Sequence, residues 1–265
     1  MRIAVLLTFL VLVARPVRSA HAERSDTVRA IHAGGIATFG VGYLVVELKL
    51  KAKLVPDGCR HWCSPPRIDQ GARETLVWNN TQRADTISDI TGYYSAPIVS
   101  MGLLVASTAD DPDARRWFDD VVPVLESAIT VSTLHHVFKF IVGRQRPFVH
   151  YSTGDRDDQL DDNMSFWSGH TSLAFSLAVS AGVVAEQRGY KVAPYVWASG
   201  LTLATTTGLL RICADRHYFT DVVVGAIIGS AAGIAVPLLL HRDTLGDEPS
   251  MTARLSPLLS YGGVF

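Results

Sequence analysis

Five stretches of this chain carry no Asp, Glu, Lys or Arg: Ala30–Val46, Ile90–Ala109, Thr171–Ala185, Val192–Leu210 and Val222–Leu240. A sixth, Val121–Phe138, has Glu126 as its one charged residue, together with His135 and His136. Runs of about 15 to 20 apolar residues fit a membrane-crossing helix or a helix wholly buried in a bundle. All six are rich in Gly, Ala, Ser and Thr, which let helices approach closely in lipid and equally permit tight packing in a soluble bundle. The reading is an all-α chain, a bundle of about six core helices. Membrane association is favoured by the length and charge exclusion of the runs.

The N-terminus has the form of an export signal. Arg2 supplies a positive start, Ile3–Ala14 is an apolar core too short to span a bilayer, and Ala20-His21-Ala22 has small residues placed for cleavage. Residues 1–22 are read as a signal peptide and 23–265 as the mature helical domain, with a motif core at 121–241. Export sets a topological problem. If 30–46, 90–109 and 121–138 all cross, residues 139–170 face the cytoplasm, so a site acting outside needs one of the three not to cross. Ala30–Val46, with four glycines, is the weakest candidate. A bundle wholly in the periplasm has no such difficulty.

The formal net charge of -1, from 24 basic and 25 acidic side chains, argues against a nucleic-acid partner, which would need a basic surplus. Three cysteines are too few for a disulfide-stapled small fold. Cys59 and Cys63, near Pro65-Pro66, form a small-loop disulfide or remain thiols; His61 alone does not complete a metal site. Cys213 reads as a packed small side chain.

Three polar clusters flank the apolar runs. Lys139 and Arg146 are seven residues apart, so a continuous helix would put them on one face, and Pro147 marks a helix end. Ser168-Gly169-His170 precedes an uncharged run, where backbone N–H groups at a helix start can receive an anion. Arg211 is followed by His217 and Asp221, whose i, i+4 spacing places them on one helical face; the carboxylate can hold one ring nitrogen and leave the other as a nucleophile. Taken singly, each has an ordinary explanation: a basic flank to a span, a surface His, a surface His–Asp pair. In an up-down bundle all three fall at the same end. Two His, one Asp and three cations are what phosphoester cleavage needs without a metal.

The order and spacing of Lys139-x6-Arg146-Pro147, Ser168-Gly169-His170 and Arg211-x5-His217-x3-Asp221 resemble the three-part signature of the type 2 phosphatidic acid phosphatase superfamily. That superfamily includes bacterial acid phosphatases, lipid phosphatases and vanadium haloperoxidases. The likeness covers residues 139–221 by motif and extends to about 241 by helix pattern. Trp167 stands where the family usually has Pro, and Leu210 where it usually has Ser. The resemblance implies a phosphoric ester hydrolase of exported, periplasmic or membrane-associated location. His217 would be the nucleophile, Asp221 its orienting carboxylate and His170 the proton donor. Lys139, Arg146, Arg211, Ser168 and Gly169 would hold the phosphate. No metal and no cofactor are implied, and the partner is a phosphate ester substrate, lipid phosphates and isoprenoid diphosphates included.

Two other readings share these residues. A haloperoxidase would place vanadate in the same pocket. A non-catalytic membrane bundle would have no use for His170, His217 and Asp221 together. The acidic loop Asp155–Asp162 reads as solvated, because Leu160 and Phe166 occupy the places where a calcium loop needs Gly and Glu. Glu126 is expected to be paired inside the bundle or functional.

Overall fold

Six long helical rods alternate in direction, so that three chain reversals meet at one end. The computed structural model describes residues 26–111, 115–153 and 160–245. The proposed signal peptide, most of the acidic loop and the tail after 245 lie outside the described residues. Helix α1 (Asp26–Val45) continues through a wide π turn, Val46–Leu50, into Lys51–Leu54. A short amphipathic helix, α2 (Arg67–Leu76), follows. Helix α3 (Thr81–Asp89) passes through a second π turn, Ile90–Ser95, into α4 (Ala96–Ser107). Then come α5 (Arg116–Val142), the single turn α6 (Pro147–His150), α7 (Gly169–Gln187), α8 (Ala193–Cys213), α9 (Phe219–Leu240) and the single turn α10 (Arg242–Leu245). There is no strand among the described residues, and the expected bundle of about six core helices is what forms.

Helix α7 is the axis. Between Thr171 and Ala185 only Leu173 and Phe175 are not buried, which is why its sequence shows no polar face. Its buried hydroxyls bond to their own helix: Ser176 Oγ to the Leu173 carbonyl at 2.8 Å and Ser180 Oγ to that of Ser176 at 2.6 Å. Helices α5, α8 and α9 pack around it.

The closest approach is between α7 and α9, and it is made by glycine. Gly225, Gly229 and Gly233 recur every fourth residue, a small-residue stripe along one face. A Cβ on Gly225 would lie 2.8 Å from the Ser168 carbonyl, and one on Gly229 would overlap the Ser172 carbonyl. Both obstacles are backbone and cannot swing away. Gly229→Val should therefore lower stability by about 1–3 kcal/mol through overpacking. Thermal unfolding in detergent should show a reduced midpoint; an unchanged midpoint would mean that the two helices are free to separate.

Four helical stretches are long and apolar enough to cross a membrane: Ala30–Leu54, Thr81–Ser107, Arg116–His150 and Phe219–Leu240. Helix α1 packs mainly against α5, and no residue from Ala30 to Leu54 is buried by protein. The runs expected at Thr171–Ala185 and Val192–Leu210 are not among these four; α7 is instead the enclosed helix of the bundle.

Cys59 and Cys63 form a disulfide, and Cys213 is a buried free thiol. The disulfide loop closes over the end of α5: Arg60 N–H donates to the Gly143 carbonyl at 3.0 Å and His61 N–H to that of Val142 at 3.1 Å.

Candidate active site

Helix α5 stops at Val142 because Gly143 turns left-handed, with φ 56°, and its N–H caps the Lys139 carbonyl at 3.0 Å. Lys139 and Arg146 are thus not two turns of one helix, as their spacing suggests. Lys139 is the last-turn cation of α5, whereas Arg146 lies beyond the break, extended, before Pro147. The break is useful: it turns the second cation back over the end of the bundle. Arg146 Nε donates to the Asp161 carbonyl at 2.8 Å and its Nη1 to that of Arg216 at 3.1 Å.

His217 and Asp221 also fail to share a helical face. His217 sits in the connection before α9, and Asp221 is the third residue of that helix, where it accepts from the Tyr218 N–H at 3.0 Å. The cap still brings them together, with His217 Nδ1 3.7 Å from Asp221 Oδ2. Asp221 is fully buried and fixed from three sides: Arg144 Nη1 donates to Oδ1 at 2.6 Å, and Ser165 Oγ and the Tyr218 N–H donate to Oδ2. His217 is 2% exposed, and its Nδ1 has no hydrogen-bond partner.

Helix α7 begins at Gly169 with Ser168 as its cap; Ser168 Oγ accepts from the Thr171 N–H at 3.4 Å and from Thr171 Oγ1 at 2.8 Å. The Ser168 hydroxyl is therefore tied to the helix it starts. A Cβ on Gly169 would stand 2.7 Å from His135 Nε2, so glycine is needed where the His135 ring closes on the helix start. His170 follows, its Nε2 2.8 Å from Asp89 Oδ1 and its ring against Tyr93 at a centroid distance of 4.3 Å.

Electrostatics show the convergence. The His217 imidazole is held well below its ordinary pKa, first by burial and then by Arg146, Lys139, Arg211 and His170. His170 is pushed down to about 4, first by burial and then by Arg211, with Asp89 opposing and Lys139 adding to the fall. All three cations and both rings thus act on one another at one end of the bundle. Lys139 is 7% exposed, and its side chain makes no hydrogen bond or ion pair among the described residues. Arg211 Nη1 is held by Asp85 Oδ1 at 2.5 Å and Ser88 Oγ at 2.9 Å, yet its buried Nε is unpartnered. Three cations, the start of α7 and the His217 imidazole, whose Nδ1 side is turned to Asp221, come together at one end of the bundle, an arrangement suited to a tetrahedral oxyanion.

The scaffold beneath includes residues that the motifs did not single out. Arg144 links Asp221 to Asp69 of α2, with Nη2 2.7 Å from Asp69 Oδ2, and Asp69 Oδ1 accepts the Thr220 N–H at 2.8 Å. Asp85 holds both Arg211 and Arg216, and Asp89 faces His170. The two departures from the family pattern are packed apolar side chains. Trp167 is buried against Phe138 and donates from Nε1 to Ser172 Oγ, and Leu210 joins Ala84 and Cys213 in a small cluster.

Residues 120–244 match the family model described as the PAP2 superfamily. The lipid A 1-phosphatase of Porphyromonas gingivalis is 32% identical over 93 residues, which are 34% of this chain; the match spans 20% of that relative's length. The crystal structure of the first transmembrane PAP2 type phosphatidylglycerolphosphate phosphatase from Bacillus subtilis shares the fold. Its TM-score is 0.50 at 15% identity, over 78% of this chain and 96% of that one.

Proposed function

We propose, from the match of residues 120–244 to the PAP2 superfamily, that this chain is a membrane phosphatase hydrolysing lipid phosphate esters through a phosphohistidine. The observation that carries this reading is that Lys139, 7% exposed and with no side-chain partner among the described residues, acts together with Arg146 and Arg211 on the buried His217 imidazole. An unpaired buried ammonium costs several kcal/mol unless an anion occupies its site. Substrate phosphate is that anion.

The steps follow from the arrangement. Burial and the surrounding cations keep His217 neutral and nucleophilic. Its Nε2 attacks phosphorus as the ester P–O bond breaks, and His170 gives its proton to the departing alkoxide. Asp221 takes the Nδ1 proton contact, which requires the ring to close by about 0.8 Å from the 3.7 Å separation. His170, now neutral, removes a proton from water; oxygen bonds to phosphorus, the P–N bond breaks, and inorganic phosphate leaves. Lys139, Arg146 and Arg211 hold the oxygens, with the Gly169 N–H beside them and Ser168 fixing the helix start. Fixed cations supply the charge stabilisation, so no metal is required at phosphorus.

The lipid part of the reading rests on what surrounds the site. Phe138, Ile141, Tyr93 and Tyr94 are exposed on the rods whose ends form it. Trp117 and Tyr195 are exposed at the other ends of α5 and α8, and Trp62 and Trp78 near the site, two aromatic levels suited to two interfaces. The Cys59–Cys63 disulfide at the site end supports an oxidising, extracytoplasmic face for catalysis.

Fractionation with and without detergent, coupled to a panel of lipid and soluble phosphate esters, tests this. Turnover should require detergent extraction and favour amphiphilic esters. Hydrolysis of none, with halide oxidation after vanadate loading, would overturn the reading.

The pH profile provides a sharper check. Positive neighbours disfavour the His170 imidazolium, and bound phosphate offsets their field. The alkaline limb of kcat should therefore lie at higher pH than that of kcat/KM. Asp89→Asn removes a carboxylate that favours the charged ring. It should shift the kcat/KM limb to lower pH; an unmoved limb would remove Asp89 from any role in setting His170.

A further inference from the structure

At the end of the bundle remote from the phosphate site, three elements contribute one chemistry-bearing side chain each. His32 of α1 has Nδ1 2.7 Å from Glu126 Oε1 of α5, and His241, just past α9, has Nε2 2.6 Å from Glu126 Oε2. The imidazole centroids are 4.5 Å apart, and the three ligand atoms all lie within 4.8 Å of one another. Asp221 and His241 lie at opposite ends of α9, twenty residues apart, which is about 30 Å of helix. This cluster therefore has no part in holding the substrate.

Glu126 is the one carboxylate in an otherwise uncharged run. Two imidazoles and a carboxylate converging from separate helices are a donor set for zinc and its neighbours. Ligands at about 2.0–2.1 Å in tetrahedral geometry stand about 3.3 Å apart, so the two His–Glu contacts need to open by about 0.6 Å, and ligand atoms as far apart as 4.8 Å need to close by about 1.5 Å, to hold an ion. The His32 side chain is 24% exposed, so the cluster is open on that side to a fourth, non-protein ligand. Asp119, two turns before Glu126 on the same helix, acts electrostatically on His32 and adds negative charge to the surroundings of a divalent ion. The location also fits a need. Helix α1 has no buried residue from Ala30 to Leu54, and in lipid an apolar helix gains no hydrophobic drive toward its neighbours. A bond to α5 and α9 would hold it.

We propose that His32, Glu126 and His241 bind a divalent first-row transition metal, zinc foremost, which clips α1 to α5 and α9. Full-length protein in detergent, stripped by chelator and re-equilibrated with zinc alone, should hold about one zinc per chain by elemental analysis. It should unfold at a higher temperature than the stripped form. Glu126→Gln and His32→Ala should each weaken zinc binding by about 100-fold or more and abolish the thermal shift, whereas His61→Ala should retain both. His32 lies on the outermost helix, so its variant decides the matter if Glu126→Gln fails to fold. Cobalt substitution should give a visible tetrahedral absorption band that His32→Ala loses. Zinc below about 0.1 per chain, or equal binding by His32→Ala, would show a metal-free His–Glu–His contact and overturn the site. Turnover below the unfolding temperature should survive stripping. Activity lost with zinc at an unchanged unfolding midpoint would count against a structural clip.

Discussion

His217→Ala should lower kcat for a lipid phosphate by about 10⁴-fold or more, leaving only what substrate positioning by the cations supplies. The imidazole is buried and its Nδ1 bonds to nothing in the structure. Its loss therefore breaks no hydrogen bond, and the variant should fold. Binding should persist, because Lys139, Arg146 and Arg211 are untouched; inorganic phosphate or vanadate should still protect the variant against thermal unfolding. Turnover within tenfold of the parent would remove His217 as the nucleophile. Loss of phosphate binding together with turnover would mean that the ring shapes the pocket.

Asp221→Asn should be the second large loss, and it should affect activity and folding together. The carboxylate receives Arg144, Ser165 and the Tyr218 N–H, all within 3.0 Å, and stands beside His217 Nδ1. An amide presents N–H groups toward donors already in place. It leaves the Arg144 guanidinium, 2% exposed, with Asp69 as its remaining carboxylate. Asp69 still balances the guanidinium, so the loss is that of charge-assisted hydrogen bonds, about 1–3 kcal/mol. kcat should fall by about 10³- to 10⁴-fold, with KM changed much less, because Asp221 acts on the nucleophile and not on the phosphate oxygens. Arg144→Leu should cost more stability, about 3–5 kcal/mol, since it strands both Asp221 and Asp69. A stable, fully active Asp221→Asn protein would contradict this account of the motif.

The chemistry was easier to read in the sequence than the framework that holds it. Lys139, Arg146, Ser168, Gly169, His170, Arg211, His217 and Asp221 fall at the ends of uncharged runs, and alternation of helix direction is enough to bring those ends together. Helical spacing misplaced two of the pairs, although the residues still meet. Gly143 ends α5 before Arg146, and His217 precedes α9 instead of lying on it. In both cases a cap, which a spacing argument does not contain, sets the geometry. Asp69, Asp85 and Asp89 carried no signal at all. Each is a lone acid in a polar stretch, and its partner is far away in the chain, as Arg211 is from Asp85. Arg144 had a weak signal, a second Arg two residues before Arg146, but a basic helix flank explains such a pair equally well. The central place of α7 was half-legible: a run with no polar face must be covered, but sequence does not say whether by lipid or by protein. Glu126 was visible as an anomaly, while His32 and His241, its partners, became so only when three helix positions met.

The most direct measurement is rapid acid or alkaline quenching of the enzyme with a ³²P-labelled lipid phosphate, followed by peptide mapping. The phosphohistidine account predicts label that survives alkali, is lost in acid, and maps to His217, with none retained by His217→Ala. No covalent label under conditions of burst turnover, or label on any other residue, would contradict it.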